Sequence, residues 1–178
     1  GFGFATHNGI HHKIPQIGGV VIEDDVEIGA CCGIERGTLN DTIIGQGSKL
    51  GDLIAIGHGT RVGPHCLLVA QVGIAGSTTL GHHCIVGGQA GIVGHIAIGN
   101  QVAIGAQAGV INNVSDGKVI LGAPAIEASQ GKRAYGMIQY LPEIKQSIRE
   151  LQAQMKQLLS SGENESSRPE DSQGSVEP

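Results

Sequence analysis

The run IGQGSK LGDLIA IGHGTR VGPHCL LVAQVG IAGSTT LGHHCI VGGQAG IVGHIA IGNQVA IGAQAG V, from Ile44 to Val110, is broken here at every sixth residue. An Ile, Leu or Val opens every hexad: Ile44, Leu50, Ile56, Val62, Leu68, Ile74, Leu80, Val86, Ile92, Ile98, Ile104 and Val110. These three residue types make up about a quarter of the chain, so chance gives this run roughly once in ten million and the period needs a structural cause. Gly follows the aliphatic residue in eight of the twelve hexads, and the fifth place is always small or β-branched, from Ser48 to Val114. A period of six is neither the 3.6 of a helix nor the bare 2 of a half-buried strand. It fits short strands joined by tight turns, with the first-place residues stacked inside a prism. Three hexads, 18 residues, close one coil, and coils stack at about 4.8 Å. Gly at the turns and small fifth-place residues are what this geometry needs. The chain is therefore read as all-β, a parallel β-helix of hexapeptide repeats, with a C-terminal α-helical extension. Periodicity does not give the hand.

Working outward, the same beat begins earlier, at Ile22, Ile28 and Ile34. The next beat, Ile44, comes ten residues later, so four residues are inserted within Arg36–Thr42 and must loop outward. Residues 1–19 are Gly-rich, and Ile14 and Ile17 are expected to start pairing on the first coil. The beat stops after Val114. Ser115-Asp116-Gly117 reads as a turn, and Gly122-Ala123-Pro124-Ala125 as an extended exit, since Pro124 disfavours helix at Ala123. Leu141, Ile144, Ile148, Leu151, Met155 and Leu158 then form a heptad stripe on a helix. From Ser160 the composition is that of a disordered tail. Three regions follow: 1–126 solenoid, 127–160 helical extension, 161–178 tail.

The net charge of −5 is unevenly spread. The solenoid carries five basic and eight acidic side chains, the helical extension five and three, the tail one and five. Nothing in this points to nucleic acid. The basic helical segment suits an acidic partner or is a solvated helix face. No apolar run approaches the ~18 residues of a membrane span, and no signal peptide is recognised. Aromatic content of 2% suits a thin core with no room for large rings. Cys32, Cys66 and Cys84 fall at fifth places, where a small buried residue is wanted, and there is no CxxC. Free thiols and a reducing, cytoplasmic setting are expected. The chain opens Gly1-Phe2-Gly3-Phe4 without Met and is read as a fragment.

Counting by 18 locates chemistry. His58 stacks under Gly76, then Gly94, with His95 beside the last. His65 stacks under His83. An imidazole can take a proton near neutral pH, and a backbone N–H one coil up can bind an oxyanion. On the count alone, His58 reads either as such a base or as one of several surface histidines. A metal site is the rival reading; the γ-class carbonic anhydrases place two His five residues apart on such a solenoid. The spacings 58–65, 65–82 and 83–95 offer no such pair, and no metal is expected.

Several stretches together resemble one family. They are Gly1-Phe2-Gly3-Phe4, Lys13-Ile14-Pro15-Gln16-Ile17-Gly18, Glu35-Arg36-Gly37-Thr38-Leu39-Asn40-Asp41-Thr42, Ile56-Gly57-His58, Ile74-Ala75-Gly76-Ser77, Val93-Gly94-His95, Gly122-Ala123-Pro124-Ala125 and the helix from Ala134 onward. They resemble the UDP-3-O-acylglucosamine N-acyltransferases of lipid A biosynthesis, over residues 1 to about 158. The resemblance implies a left-handed solenoid, a homotrimer with sites in clefts between solenoids, and a preceding uridine-binding domain. It implies transfer of a 3-hydroxyacyl chain from the 4'-phosphopantetheine of acyl carrier protein to the 2-amine of a UDP-linked, 3-O-acylated glucosamine. No bound cofactor is implied. By position, the resemblance implies that His58 is the general base, that Gly76 N–H holds the oxyanion, and that His95 seats the donor or the diphosphate. Asp52 stands near the family's carboxylate for binding substrate. The resemblance also implies that Lys132, Arg133, Lys145 and Arg149 receive the carrier protein. The chain departs from the family at Gly51-Asp52, where Asp-Asn is usual, at Gly59 in place of Asn, and at Glu35 in place of Asp. Two alternatives are a CoA-dependent hexapeptide acetyltransferase and a trimeric scaffold of impaired activity.

Overall fold

The computed structural model describes residues 1–122 and 125–166, with side chains up to residue 158. Two compact units divide between residues 124 and 125.

The first unit is a left-handed parallel β-solenoid of three sheets. One holds Val20–Ile22, Thr42–Ile44, Arg61–Val62, Thr79–Leu80 and Ala97–Ile98. The second holds Glu27–Ile28, Lys49–Leu50, Leu67–Leu68, Ile85–Val86, Ala103–Ile104 and Val119–Ile120. The third holds Gly33–Ile34, Ala55–Ile56, Gly73–Ile74, Gly91–Ile92 and Gly109–Val110. Each strand is so short because the inward residue is followed at once by a corner. From Ile44 to Val110 every first-place residue is buried, none more than 5% exposed. Burying each such side chain is worth about 1.5–3 kcal/mol. Fifth-place Ile54, Cys66, Val72, Cys84, Ala90, Val102 and Ala108 complete the core.

Fifth-place polar residues follow a rule that the hexad pattern does not announce. Ser48, Thr60 and Thr78 donate their hydroxyls to the carbonyls of Gly63, Ala75 and Val93, each 15 residues on. Cys66 and Cys84 do the same with their thiols, to Gly81 and Gly99, both at 3.1 Å. These side chains are small because the core is thin, and polar because each satisfies a carbonyl in the next coil. All four cysteines are free.

The glycines play a different part from the one expected. The corner residue with positive φ is the fourth of each hexad, and side chains are present at most of these: Leu53, His65, Gln71, Ser77, His83, Gln89, His95, Gln101 and Gln107. That conformation costs roughly 1–2 kcal/mol for an L-residue. It is offset by a bond from the corner N–H to the coil before, as in Ser77 N–H to His58 O at 2.8 Å and His95 N–H to Gly76 O at 3.1 Å. Second-place glycines are needed instead because the next coil lies against them. A Cβ on Gly57 would stand 2.4 Å from the nitrogen of Gly76.

Register shows the insert. In the first coil Val20 faces Thr42, Glu27 faces Lys49 and Gly33 faces Ala55, each pair 22 residues apart. From Ile43↔Arg61 onward the offset is 18. The extra residues form a loop pinned to the lead-in: Ile17 N–H donates to Thr38 O and Gly18 N–H to Gly37 O, both 3.0 Å. Two expectations are corrected here. Ile14 pairs with Gly3 and Ile17 with the insert, because residues 4–13 form an antiparallel hairpin, Phe4–His7 against Ile10–Lys13. The solenoid also runs past Val114: Val119 faces Ala103 after a coil shortened to 16 residues.

The second unit has two helices, α1 (Ala128–Ile138) and α2 (Leu141–Ser166). Glu127 caps α1, its carboxylate accepting from the N–H groups of Ser129 and Gln130. Pro142, second in α2, suits a first helical turn, where its missing N–H has no partner to lose. The helix therefore breaks at Gln139-Tyr140 rather than running on from Ala134. Leu141, Ile144, Ile148, Leu151, Met155 and Leu158 are all at least 37% exposed along α2. That helix continues past Ser160 to Ser166. The proposed exit at Ala123-Pro124 and the tail from 167 lie outside the described residues.

Candidate active site

His58 is the third residue of its hexad, at the corner after the Ala55–Ile56 strand, and is half-buried. Its ring is held from two sides. Below, the insert loop brings Thr38 Oγ1 to 3.3 Å from His58 Nδ1. Thr38 Oγ1 in turn donates to Gln16 Oε1 at 2.8 Å. Above lies Gly76. A Cβ built there would sit 2.5 Å from His58 Nε2 and 2.7 Å from two ring carbons. The imidazole thus occupies the space a side chain at 76 would fill.

The backbone around the ring is equally fixed. Glu35 Oε2 accepts from His58 N–H at 3.1 Å and from Phe2 N–H at 2.9 Å. Thr42 Oγ1 donates to Glu35 O at 2.6 Å and accepts from Gly59 N–H at 2.8 Å. The Gly76 N–H has no hydrogen-bond partner among the described residues, whereas the Gly76 carbonyl accepts from His95 N–H. An imidazole, a vacant N–H one coil above it and a bare α-carbon between them can together handle a proton and a developing negative oxygen.

On one side of this corner runs a groove of about 760 Å³ over the third sheet, lined by Phe2, Ile34, Glu35, Ile56, Ile74, Gly76, Ile92 and Val93 among others. Its floor is bare because the outward residues of that sheet are Gly33, Ala55, Gly73, Gly91 and Gly109. On the other side is a recess of about 320 Å³ lined by Thr38, Leu39, Asn40, His58, Gly59, Arg61, Ser77 and Thr79.

The structure brings His58, Gly76 and His95 to one edge, as the count of 18 predicts. His95 itself is exposed, at a corner with φ 62°. Asp52 is not part of this edge. It stands one corner back along the coil, and its Oδ1 accepts from Ala30 N–H at 2.7 Å. Lys132 and Arg133 lie on α1, Lys145 and Arg149 one turn apart on α2, all exposed. Sequence reasoning gave no role to Thr38, Gln16 or Glu35. Thr38 sits in the insert, 20 residues before His58, where a rule of 18 has no register. His65 and His83 do stack, with ring centroids 5.1 Å apart. Among the described residues no three His, Cys, Asp or Glu gather into a metal-holding group.

No family model matches the chain. It is 55% identical over 166 residues to UDP-3-O-acylglucosamine N-acyltransferase 3 of Gloeobacter violaceus, covering 91% of this chain and 48% of that protein. It is 56% identical over 75 residues to the UDP-3-O-acylglucosamine N-acyltransferase of Methylobacterium nodulans, covering 42% of this chain and 21% of that protein. The chain thus spans about half the length of the Gloeobacter protein. Among solved structures, the acetyltransferase domain of PglB from Neisseria gonorrhoeae with acetyl coenzyme A matches at 24% identity and a TM-score of 0.32, over 60% of this chain and 53% of that one.

Proposed function

We propose that this chain, a homologue of the UDP-3-O-acylglucosamine N-acyltransferases over nine-tenths of its length, is the acyl-transferring part of such an enzyme. In this reading a 3-hydroxyacyl group passes from the phosphopantetheine thiol of acyl carrier protein to the 2-amine of a UDP-linked, 3-O-acylated glucosamine. The observation that carries it is the His58 ring lying against Gly76, beside a vacant N–H and at the edge of an apolar groove.

The steps follow from those positions. The amine nitrogen attacks the thioester carbonyl carbon, and His58 Nε2 takes a proton from that nitrogen. The carbonyl oxygen gains negative charge and accepts a hydrogen bond from Gly76 N–H. As the C–S bond breaks, the imidazolium returns the proton to the departing sulfur, leaving an amide and a free thiol. The acyl chain lies along the bare groove over the third sheet. His95 seats the donor or the diphosphate, and Lys132, Arg133, Lys145 and Arg149 meet the acidic carrier protein. Asp52 takes no part at the His58 edge of its own chain; its candidate role in substrate binding needs a neighbouring solenoid. A homotrimer joined partly through the α2 stripe, working in the cytoplasm, completes the reading. Among the described residues no helix is long and apolar enough to cross a membrane.

The test offers the full-length protein a long hydroxyacyl chain on acyl carrier protein beside acetyl-CoA. Turnover of the carrier-bound chain is expected, falling at least about a hundredfold in His58→Ala. Use of acetyl-CoA alone sinks the assignment, and an unchanged rate in His58→Ala removes that residue's role.

A further inference from the structure

We propose that Thr38, itself oriented by Gln16, sets the tautomer of His58 and so leaves Nε2, the nitrogen facing Gly76, as the base. The proposal rests on the acyl-transfer reading above for its consequence, but not for its geometry.

The protons available at these three side chains decide the tautomer. Gln16 Nε2 donates to Ile14 O at 3.2 Å, which turns Oε1 toward Thr38. The opposite amide orientation would set two oxygens against each other at Ile14. A carbonyl oxygen only accepts. The 2.8 Å contact between Thr38 Oγ1 and Gln16 Oε1 therefore takes the hydroxyl proton of Thr38. A hydroxyl has one proton, so Thr38 Oγ1 meets His58 Nδ1, 3.3 Å away, only as an acceptor. Nδ1 must carry hydrogen. The other tautomer would oppose two lone pairs at the half-buried ring, with no bond to offset them. With hydrogen on Nδ1, the lone pair of the ring is on Nε2. That is the ring atom nearest the Cβ position of Gly76.

The insert is what makes this arrangement possible. In a regular coil the residue below His58 would be the one 18 earlier, Asn40. The four-residue insertion places Thr38 there instead, held through its own carbonyl by Ile17 N–H. Gln16 is the neighbour of Ile17, so the same backbone bond that fixes the loop brings the amide and the hydroxyl together. Thr38 is a positioning residue: it touches the base, not the substrate. A hydroxyl fixes the tautomer without adding a negative charge to the edge, which a carboxylate in that place would do.

Two-bond proton–nitrogen correlation spectra of the ¹⁵N-histidine-labelled chain read the tautomer directly, with His58→Asn identifying the signal. The wild type is expected to show His58 protonated on Nδ1. Thr38→Val keeps the shape and loses the acceptor, and should move His58 toward hydrogen on Nε2. Thr38→Ser should restore the wild-type spectrum. Gln16→Met is the sharper variant, because it never touches His58. It frees the Thr38 proton to point at Nδ1, so it too should shift hydrogen to Nε2. In turnover, Thr38→Val should lower kcat about ten- to a hundredfold with KM little changed, and Thr38→Ser should recover most of it. Hydrogen on Nε2 in the wild type overturns the proposal, as does a spectrum unmoved by both Thr38→Val and Gln16→Met. The spectra need no substrate. A chain that shows the shifts yet transfers no acyl group overturns the acyl-transfer reading and leaves the relay standing.

Discussion

Replacing Gly76 by Ala separates the site from the scaffold. The new Cβ would lie 2.5 Å from His58 Nε2, where ordinary contact begins at 3.4 Å, so the ring must retreat by about 0.9 Å. The atoms in the way belong to the tip of a side chain, not to backbone. Moving them costs about 0.5–1.5 kcal/mol of rotamer strain, a few degrees of Tm. The chemical penalty is larger. In the proposed reaction, a retreat of that size moves Nε2 off the amine, and it strains the 3.3 Å contact with Thr38. A misplacement near 1 Å is worth about a hundredfold in rate. Two controls frame the result. Gly57→Ala puts a Cβ 2.4 Å from the backbone nitrogen of Gly76. The coil must open, and overpacking of that kind costs about 1–3 kcal/mol or more. Gly73→Ala meets nothing within 4 Å and should be neutral or stabilising by about 0.4–1 kcal/mol. Thermal melts and carrier-protein-dependent turnover are measured on all three. Gly76→Ala with wild-type turnover refutes the reasoning, and so does a Gly76→Ala protein as destabilised as Gly57→Ala.

Two further outcomes rest on contacts away from His58. Asp116 Oδ1 accepts from Asn100 N–H at 2.9 Å and Oδ2 from Asn100 Nδ2 at 3.1 Å, which hold its carboxyl below the usual carboxylate range. A depressed folded value means that the stabilisation is complete above the unfolded pKa of about 3.9 and fades as pH falls through the folded one. The last coil should therefore gain amide exchange below about pH 4, and Asp116→Asn should remove that step; protection unchanged down to pH 2 refutes it. In native protein Cys31, exposed at a corner, should be the one thiol that labels fast. Cys66 should stay unlabelled until unfolding, because it is fully buried and its thiol proton is held on the Gly81 carbonyl; fast native labelling of Cys66 counts against the packed core.

The solenoid was legible because its inward residues recur at a spacing no other fold imposes. The same regularity explains the edge: a count of 18 puts Gly76 over His58 without any coordinates. What escaped lies where regularity fails. Thr38 reaches His58 through an insert that breaks the count, and Gln16 reaches Thr38 through a lead-in that precedes it. The hairpin at residues 4–13 carries a strong turn signal, Asn8-Gly9, both with positive φ. Its eight strand residues are all exposed, so no alternation marked them as strands. The strand at Val119–Ile120 pairs at 16 rather than 18, because the hexad opened by Val110 is two residues short and Val114 already faces Ile98. The break before α2 was signalled by Pro142, whose meaning depends on the helix starting just there.

The glycines sort into two kinds, and the difference bears on what the third sheet is for. Gly45, Gly57, Gly63 and Gly81 meet backbone of the next coil closer than 3 Å; the chain's own packing explains them. Gly33, Gly73, Gly91 and Gly109 meet nothing within 4 Å and have no positive φ. Neither packing nor backbone conformation asks for them. Each gives up about 0.5–1 kcal/mol against Ala in a strand or helix interior, so four together forgo about 2–4 kcal/mol with no return inside the chain. The equivalent outward places on the second sheet hold Lys49, Leu67, Ile85 and Ala103, and on the first Arg61, Thr79 and Ala97. The bareness is confined to the sheet that leads to His58 and Gly76. A lower-stability choice repeated over four coils, on that face alone, is accounted for by an occupant outside the chain that needs the room, as the acyl chain of the proposed reaction does.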